Sequence, residues 1–135
     1  MARMLVIDDE ESIRKLLSTV LTRKGHEVFL AENGQKGINM FERMRPLITI
    51  LDLHMPGLNG LEVLSRLRAI NPQACVIMLT GYGTDEEEAQ ALALGADDFL
   101  KKGFSLFELG EVLRRVMASI STDPTLPAAT GSRTR

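Results

Sequence analysis

Short apolar runs alternate along the chain with longer stretches in which apolar residues recur at three- and four-residue spacing. The runs are MLVI (4–7), VFLA (28–31), ITILDL (48–53), CVIML (75–79) and FL (99–100). Runs this short and this dense in Val, Ile and Leu predict strands covered on both faces of a sheet. Between them, Ile13, Leu16, Leu17, Val20 and Leu21 share one face of a helix. Leu106, Leu109, Val112, Leu113, Val116, Met117 and Ile120 share the face of another near the end. Strand and helix alternate five times, which predicts an α/β fold with a five-stranded parallel sheet between two helical layers.

Local signals mark several element ends. Thr84 with Glu87, and Ser105 with Glu108, have the spacing of capping boxes, in which each side chain satisfies a free amide of a first helical turn. Gly25 and Gly95 stand just past helical patterns, where a left-handed C-cap is wanted. Asn71 and Pro72 close the helix that begins near Gly60. From about Ser121 the pattern stops, and a stretch of Pro, Thr, Ser and Gly has nothing to build a core. Residues 1–120 are therefore expected to form one domain, with 121–135 a flexible tail or the start of a linker.

Length and composition agree with one domain: 135 residues, 44% hydrophobic, fill a single core. A formal net charge of −2 supplies no field to hold nucleic acid or an acidic membrane, so neither is an expected partner. The single cysteine, Cys75, lies in an apolar run and is expected to be a buried, reduced thiol. No apolar run approaches a membrane span and the first residues are too short for a signal peptide, so a cytoplasmic location is expected.

In a parallel α/β sheet, functional side chains collect where strands end and the loops to the helices begin. Asp8 and Asp9 end the first predicted strand, Asp52 ends the third, Thr80 ends the fourth and Lys102 follows the fifth. Three carboxylates at one edge repel one another and raise each other's pKa values unless a cation sits between them. A hard divalent ion such as magnesium, which takes oxygen ligands and keeps several waters, fits that need. Lys102 and the Thr80 hydroxyl suit phosphoryl oxygens, and with an aspartate nucleophile they complete the parts of an aspartyl-phosphate site. Taken singly, each part has a plainer reading: acidic residues at a helix N-terminus, a strand exit, turn material, a solvated lysine. Their placement at one sheet edge favours the joint reading.

The words VIDDE (6–10), LDLHMPGLNG (51–60), MLTGYG (78–83) and GADDFLKKGF (95–104) together resemble a response-regulator receiver domain, over roughly residues 3–120. The resemblance implies the flavodoxin-like strand order 2-1-3-4-5. It implies Asp52 as the phosphorylated residue and Asp8 and Asp9 as the acidic pair that holds Mg2+, with Asp52 and the His54 backbone carbonyl as further ligands. Thr80 and Lys102 would meet the phosphoryl oxygens, Lys101 would face away, and Phe99 would be the aromatic whose rotamer follows Thr80. The implied partners are a sensor histidine kinase or phosphotransfer protein and an output domain or effector. A homodimer could form through the fourth helix, fifth strand and fifth helix.

The sequence departs from the family pattern at Gly103, where the family usually has proline after the lysine, joined in cis; a trans or mobile linkage is expected here. His26 and His54 have no zinc-ligand spacing. The side chains of His54 and Tyr82 are expected to border the site and restrict the water that attacks the phosphorylated form. Three other readings share parts of the pattern. A flavodoxin-like electron carrier must admit a flavin phosphate, which Asp8, Asp9, Glu10 and Glu11 would repel. A phosphatase resembling haloacid dehalogenases needs an aspartate where His54 stands. A pseudo-receiver that binds proteins without phosphate usually lacks the aspartate or the lysine, and both are present here.

Overall fold

The computed structural model describes residues 2–81 and 84–121. Each apolar run forms a strand: β1 Arg3–Ile7, β2 Glu27–Ala31, β3 Ile48–Asp52, β4 Cys75–Thr80 and β5 Asp98–Lys101. Helices α1 Glu11–Arg23, α2 Gly34–Met44, α3 Gly60–Ile70, α4 Asp85–Ala93 and α5 Leu106–Ser121 alternate with them. Every pairing is parallel, in the order β2-β1-β3-β4-β5, so the expected sheet and strand order are both present. The expected tail, residues 122–135, lies outside the described residues. Among the described residues no helix is long and apolar enough to cross a membrane.

Alternation along the strands divides the interior into two cores. Leu5, Ile7, Leu51, Val76 and Met78 point to the side of α2, α3 and α4, where they meet Ile38, Phe41, Val63, Leu64, Leu67 and Ala91. Met4, Val6, Ile48, Ile50, Ile77 and Leu79 point the other way, onto Leu17 and Leu21 of α1 and Leu109, Val112, Leu113 and Val116 of α5. The central strands β1, β3 and β4 are almost wholly buried, which is why their sequences read as continuous apolar runs. Each fully buried Leu or Ile contributes about 1.5–3 kcal/mol relative to exposure. Cys75 opens β4 half-buried rather than buried.

The helix ends follow the local signals. Both expected capping boxes form, Thr84 with Glu87 and Ser105 with Glu108, and Gly25 and Gly95 take positive φ. A third box, Asn59 with Glu62, opens α3 and was not singled out in the sequence. At the sheet's N-terminal edge the Arg68 guanidinium donates to the carbonyls of Ala74 and Gly95 and, at 3.0 Å, to Asp97 Oδ2. The same oxygen accepts the Val76 N–H at 2.8 Å. The opposite edge is thereby left to carry the functional loops.

Two glycines predict opposite outcomes. A Cβ on Gly60 would sit 2.4 Å from the Asp52 carbonyl oxygen and 2.6 Å from Leu53 Cα, both backbone atoms. Gly60→Ala is expected to lower stability by about 1–3 kcal/mol, read by urea denaturation, because that backbone cannot rotate away. Gly110, inside α5, has nothing within 4 Å of such an atom. Gly110→Ala is expected to raise stability by about 0.5–1 kcal/mol in the same assay through helix propensity.

Candidate functional site

Three strand ends and one loop converge at the C-terminal edge of the sheet. β1 stops at Ile7, yet Asp8 continues the ladder by donating its N–H to the Ala31 carbonyl at 3.1 Å. That bond holds Asp8 inside the fold, where it is fully buried. Asp8 Oδ1 accepts the Glu10 N–H at 2.8 Å, a tight Asx turn that swings Glu10 back over Asp8. Asp52 is the last residue of β3 and is 2% exposed. Its Oδ1 accepts the His54 N–H at 3.2 Å, turning the chain out toward α3.

Lys102 is the cation of the site. Its Nζ lies 3.1 Å from Asp52 Oδ2 and 3.3 Å from Asp8 Oδ2, and it also donates to Glu10 Oε1. The parallel register sets Thr80 beside Lys101, and the Lys102 N–H donates to the Thr80 carbonyl at 3.0 Å, which carries the next side chain over the strand ends. Lys101 is exposed and lines a groove with Phe99 and Phe107 instead, facing away from the carboxylates as expected. The Lys102–Gly103 bond is trans, among described residues that contain no cis bond. Gly103 has φ +88 with open space around it, so its backbone freedom is what the turn into Phe104 uses.

Asp8, Glu10 and Asp52 each offer an oxygen within 4.8 Å of the others. Asp9 lines the same cleft, together with Glu10, Asp52, His54, Gly81 and Lys102. Glu10 was not singled out as a site residue in the sequence. The signal that would have found it is the Asx turn, because an aspartate that accepts the N–H two residues on brings that residue to its own side. Thr80 is 2% exposed, and its hydroxyl has no hydrogen-bond partner among the described atoms. Phe99 is half-buried against the core that contains Ala91 and Met78. The His54 ring reaches Glu87 of α4, with Nε2 2.9 Å from Oε2. Tyr82 lies outside the described residues.

Charge governs this cleft. Burial pushes the Asp52 carboxyl up to about 7, and the negative Asp8 adds to the rise against the opposing pull of Lys102. Burial also raises Asp8, against the Glu10 N–H and Lys102. For Lys102, burial alone would favour the neutral amine, but its bonds to Glu10 and Asp52 outweigh that and hold the ammonium above its ordinary range. One lysine does not balance these carboxylates. Among the described residues Asp8 Oδ2 is buried with no hydrogen bond, the Lys102 ammonium standing 3.3 Å away as an ion pair. A buried carboxylate oxygen without a donor, inside a group of hard oxygen donors, fits a small divalent cation such as Mg2+.

A doubly covered parallel sheet with carboxylates and a lysine at its C-terminal edge defines a class of α/β domains with an acidic site at the strand ends, and comparison with known proteins makes the class specific. The profile of the response regulator receiver domain family matches residues 4–114, and the chain belongs to that family. It is 33% identical over 115 residues to regulatory protein AtoC of Escherichia coli, a match covering 85% of this chain and 25% of that protein. It is 36% identical over 130 residues to response regulator MprA of a Mycobacterium species, covering 95% of this chain and 56% of that protein. The chain thus spans between a quarter and just over half of these relatives. Among solved structures, chemotaxis protein CheY4 of Vibrio cholerae superposes with a TM-score of 0.81 at 31% identity, covering 86% of this chain and 98% of that one. Receiver domains are signalling switches of two-component systems rather than classical enzymes. Phosphorylation and Mg2+ are general features of the family.

The raised carboxyls set the sign of a pH dependence. A carboxyl whose folded pKa exceeds its unfolded value, about 3.9, keeps its proton longer in the folded state. Its contribution to stability is present at low pH and lost as pH rises from about 4 to the folded value of about 7. With chelator present, the thermal midpoint is expected to fall across that window. Asp52→Asn should flatten the fall and stabilise the protein at neutral pH by about 1–3 kcal/mol, the scale of a close like-charge contact. Added Mg2+ should raise the midpoint of the unsubstituted protein more than that of the variant.

Proposed function

We propose that this chain is a phosphoacceptor switch in a two-component phosphorelay, with Asp52 as the acceptor. The observation that carries the reading is the Asp52 carboxylate, 2% exposed at the floor of an open cleft and 3.1 Å from the Lys102 ammonium. An Asp52 oxygen attacks the phosphorus of a phosphohistidine on a sensor kinase or phosphotransfer protein. The P–N bond breaks, and its electron pair leaves with the imidazole, which takes a proton from solvent. Lys102 is placed to neutralise a phosphoryl oxygen and Thr80 to donate its hydroxyl to another. Asp8, Glu10 and Asp52, whose oxygens cluster, are the groups that would hold Mg2+, with Asp9 and the His54 carbonyl, the further ligands the family resemblance implies, beside them. When bound, the ion offsets the charge that phosphate and carboxylates accumulate. The same chemistry supports self-phosphorylation from small phosphate donors and slow hydrolysis.

The signal follows from the added charge. Phosphorylation brings about −1.5 to −2 charges and three acceptor oxygens to Asp52. These offer the Thr80 hydroxyl, which has no partner among the described residues, a strong acceptor at the end of β4. Inward movement of Thr80 leaves room for Phe99, the half-buried aromatic of β5. The face of α4, β5 and α5 then changes shape for an output domain, an effector or a second copy of the chain. Residues 1–120 form the switch and 121–135 its tail or linker, in a cytoplasmic protein. Gly103 replaces the rigid proline at the lysine with a trans bond and positive φ, and still leaves Lys102 on Asp52.

Intact mass after incubation with acetyl phosphate tests the reading. A single phosphoryl adduct that requires both Mg2+ and Asp52, and is lost in Asp52→Asn, is the expected result. A folded protein that takes no adduct in any condition would instead be a phosphate-independent binding module.

Thr80→Val separates the resting state from the switched one. Removing a buried hydroxyl with no partner is expected to leave the thermal stability of the unmodified protein unchanged or about 0.5–1 kcal/mol higher. The change in α4 and β5 amide NMR shifts on phosphorylation should shrink by at least about half, because the hydroxyl is the group the phosphoryl oxygens engage.

A further inference from the structure

His54 is held at both ends. Its backbone N–H donates to Asp52 Oδ1 at 3.2 Å, and its ring reaches Glu87 Oε2 at 2.9 Å. An ionised carboxylate only accepts, so Nε2 carries the proton and donates it to Glu87. Glu87 divides its two oxygens. Oε2 takes His54, while Oε1 takes the Thr84 N–H at 3.1 Å in the capping box that opens α4. The capping role explains only Oε1. Oε2 is spent on a residue 33 positions away that lines the cleft above Asp52. A run of hydrogen bonds therefore passes from the acceptor aspartate through His54 to the first turn of α4.

We propose that Glu87 is a positioning residue that fixes the His54 ring at the mouth of the Asp52 cleft and thereby lengthens the life of the phosphorylated form. The inference rests on Asp52 being the phosphoacceptor. A ring tethered at one end by its backbone and at the other by a helix residue covers one approach to Asp52. Water that takes this approach to an aspartyl phosphate must pass it. Releasing the ring restores its rotamer freedom and opens that approach. Because Glu87 belongs to α4, any displacement of that helix also loosens the ring, so phosphoryl lifetime and helix position become linked in the same residue.

The test compares adduct decay, followed by intact mass after loading with acetyl phosphate and Mg2+, in the wild-type protein, Glu87→Ala, His54→Ala and the double variant. Glu87→Ala is expected to lose the adduct about two- to tenfold faster, the factor one net hydrogen bond supplies. In the His54→Ala background, Glu87→Ala should add nothing. The His54 ring 15N shifts of the unphosphorylated protein should move in Glu87→Ala. Decay at the wild-type rate or slower in Glu87→Ala overturns the inference. So does an equal acceleration in the His54→Ala background, which would show that Glu87 only caps α4, and so do ring shifts that stay in place. A wild-type protein that never loads sinks the phosphoacceptor reading itself and is told apart from these outcomes by the missing adduct.

Discussion

The buried carboxylates at one edge of the sheet are the constraint on which the rest of this structure depends. Asp8 and Asp52 are removed from water and set close together, with Glu10 above them and a single ammonium, Lys102, between. In water that arrangement would spring apart. It persists because Asp8 and Asp52 are anchored by backbone that the sheet cannot release: Asp8 by its bond to Ala31, Asp52 by its place at the end of β3. The cost appears as raised carboxyl pKa values and as a buried Asp8 oxygen without a donor. A site with excess negative charge accommodates added positive charge, from a divalent cation, far more readily than a neutral one does.

The two cores are what make such a site tenable. Alternate residues of β1, β3 and β4 lock the sheet to α1 and α5 on one side and to α2, α3 and α4 on the other. The Arg68 and Asp97 contacts tie α3, β4 and the turn before β5 at the far edge. Electrostatic strain is thus confined to the C-terminal edge of the sheet, at the strand ends and the loops that follow them. Close approach of Gly60 to the backbone of Asp52 and Leu53 belongs to the same arrangement, since it holds α3 against the end of β3.

Legibility in the sequence followed the range of the interactions. Strands, helices, the parallel sheet and the strand-end placement of Asp8, Asp52, Thr80 and Lys102 could be read because each depends on period, run length or position at a strand end. The capping boxes at Thr84 and Ser105 were legible for the same reason, being contained within four residues. Glu10 was missed because its part in the site depends on which way the Asx turn rotates the chain after Asp8. Glu87 was seen only as a helix cap. Its bond to His54 spans 33 positions and joins the loop after β3 to the first turn of α4, whose relative placement no local pattern encodes. Cys75 was expected to be buried from its apolar neighbours, but it opens an otherwise buried strand and is half-exposed.

What the sequence by itself determined was the architecture and the chemical inventory: five strand-helix units, an acidic pair, a further aspartate, a hydroxyl and a lysine at one edge. These are properties of short segments, and hydrophobic periodicity and local hydrogen bonding carry them. Only the tertiary structure decided which charges face one another. Parallel register brought Lys102 over Asp52 and Asp8 from a distant part of the chain, with trans geometry and positive φ at Gly103. Burial then set the protonation of those carboxyls, because the energy of a charge depends on everything that excludes water from it, and that is a property of the assembled fold alone.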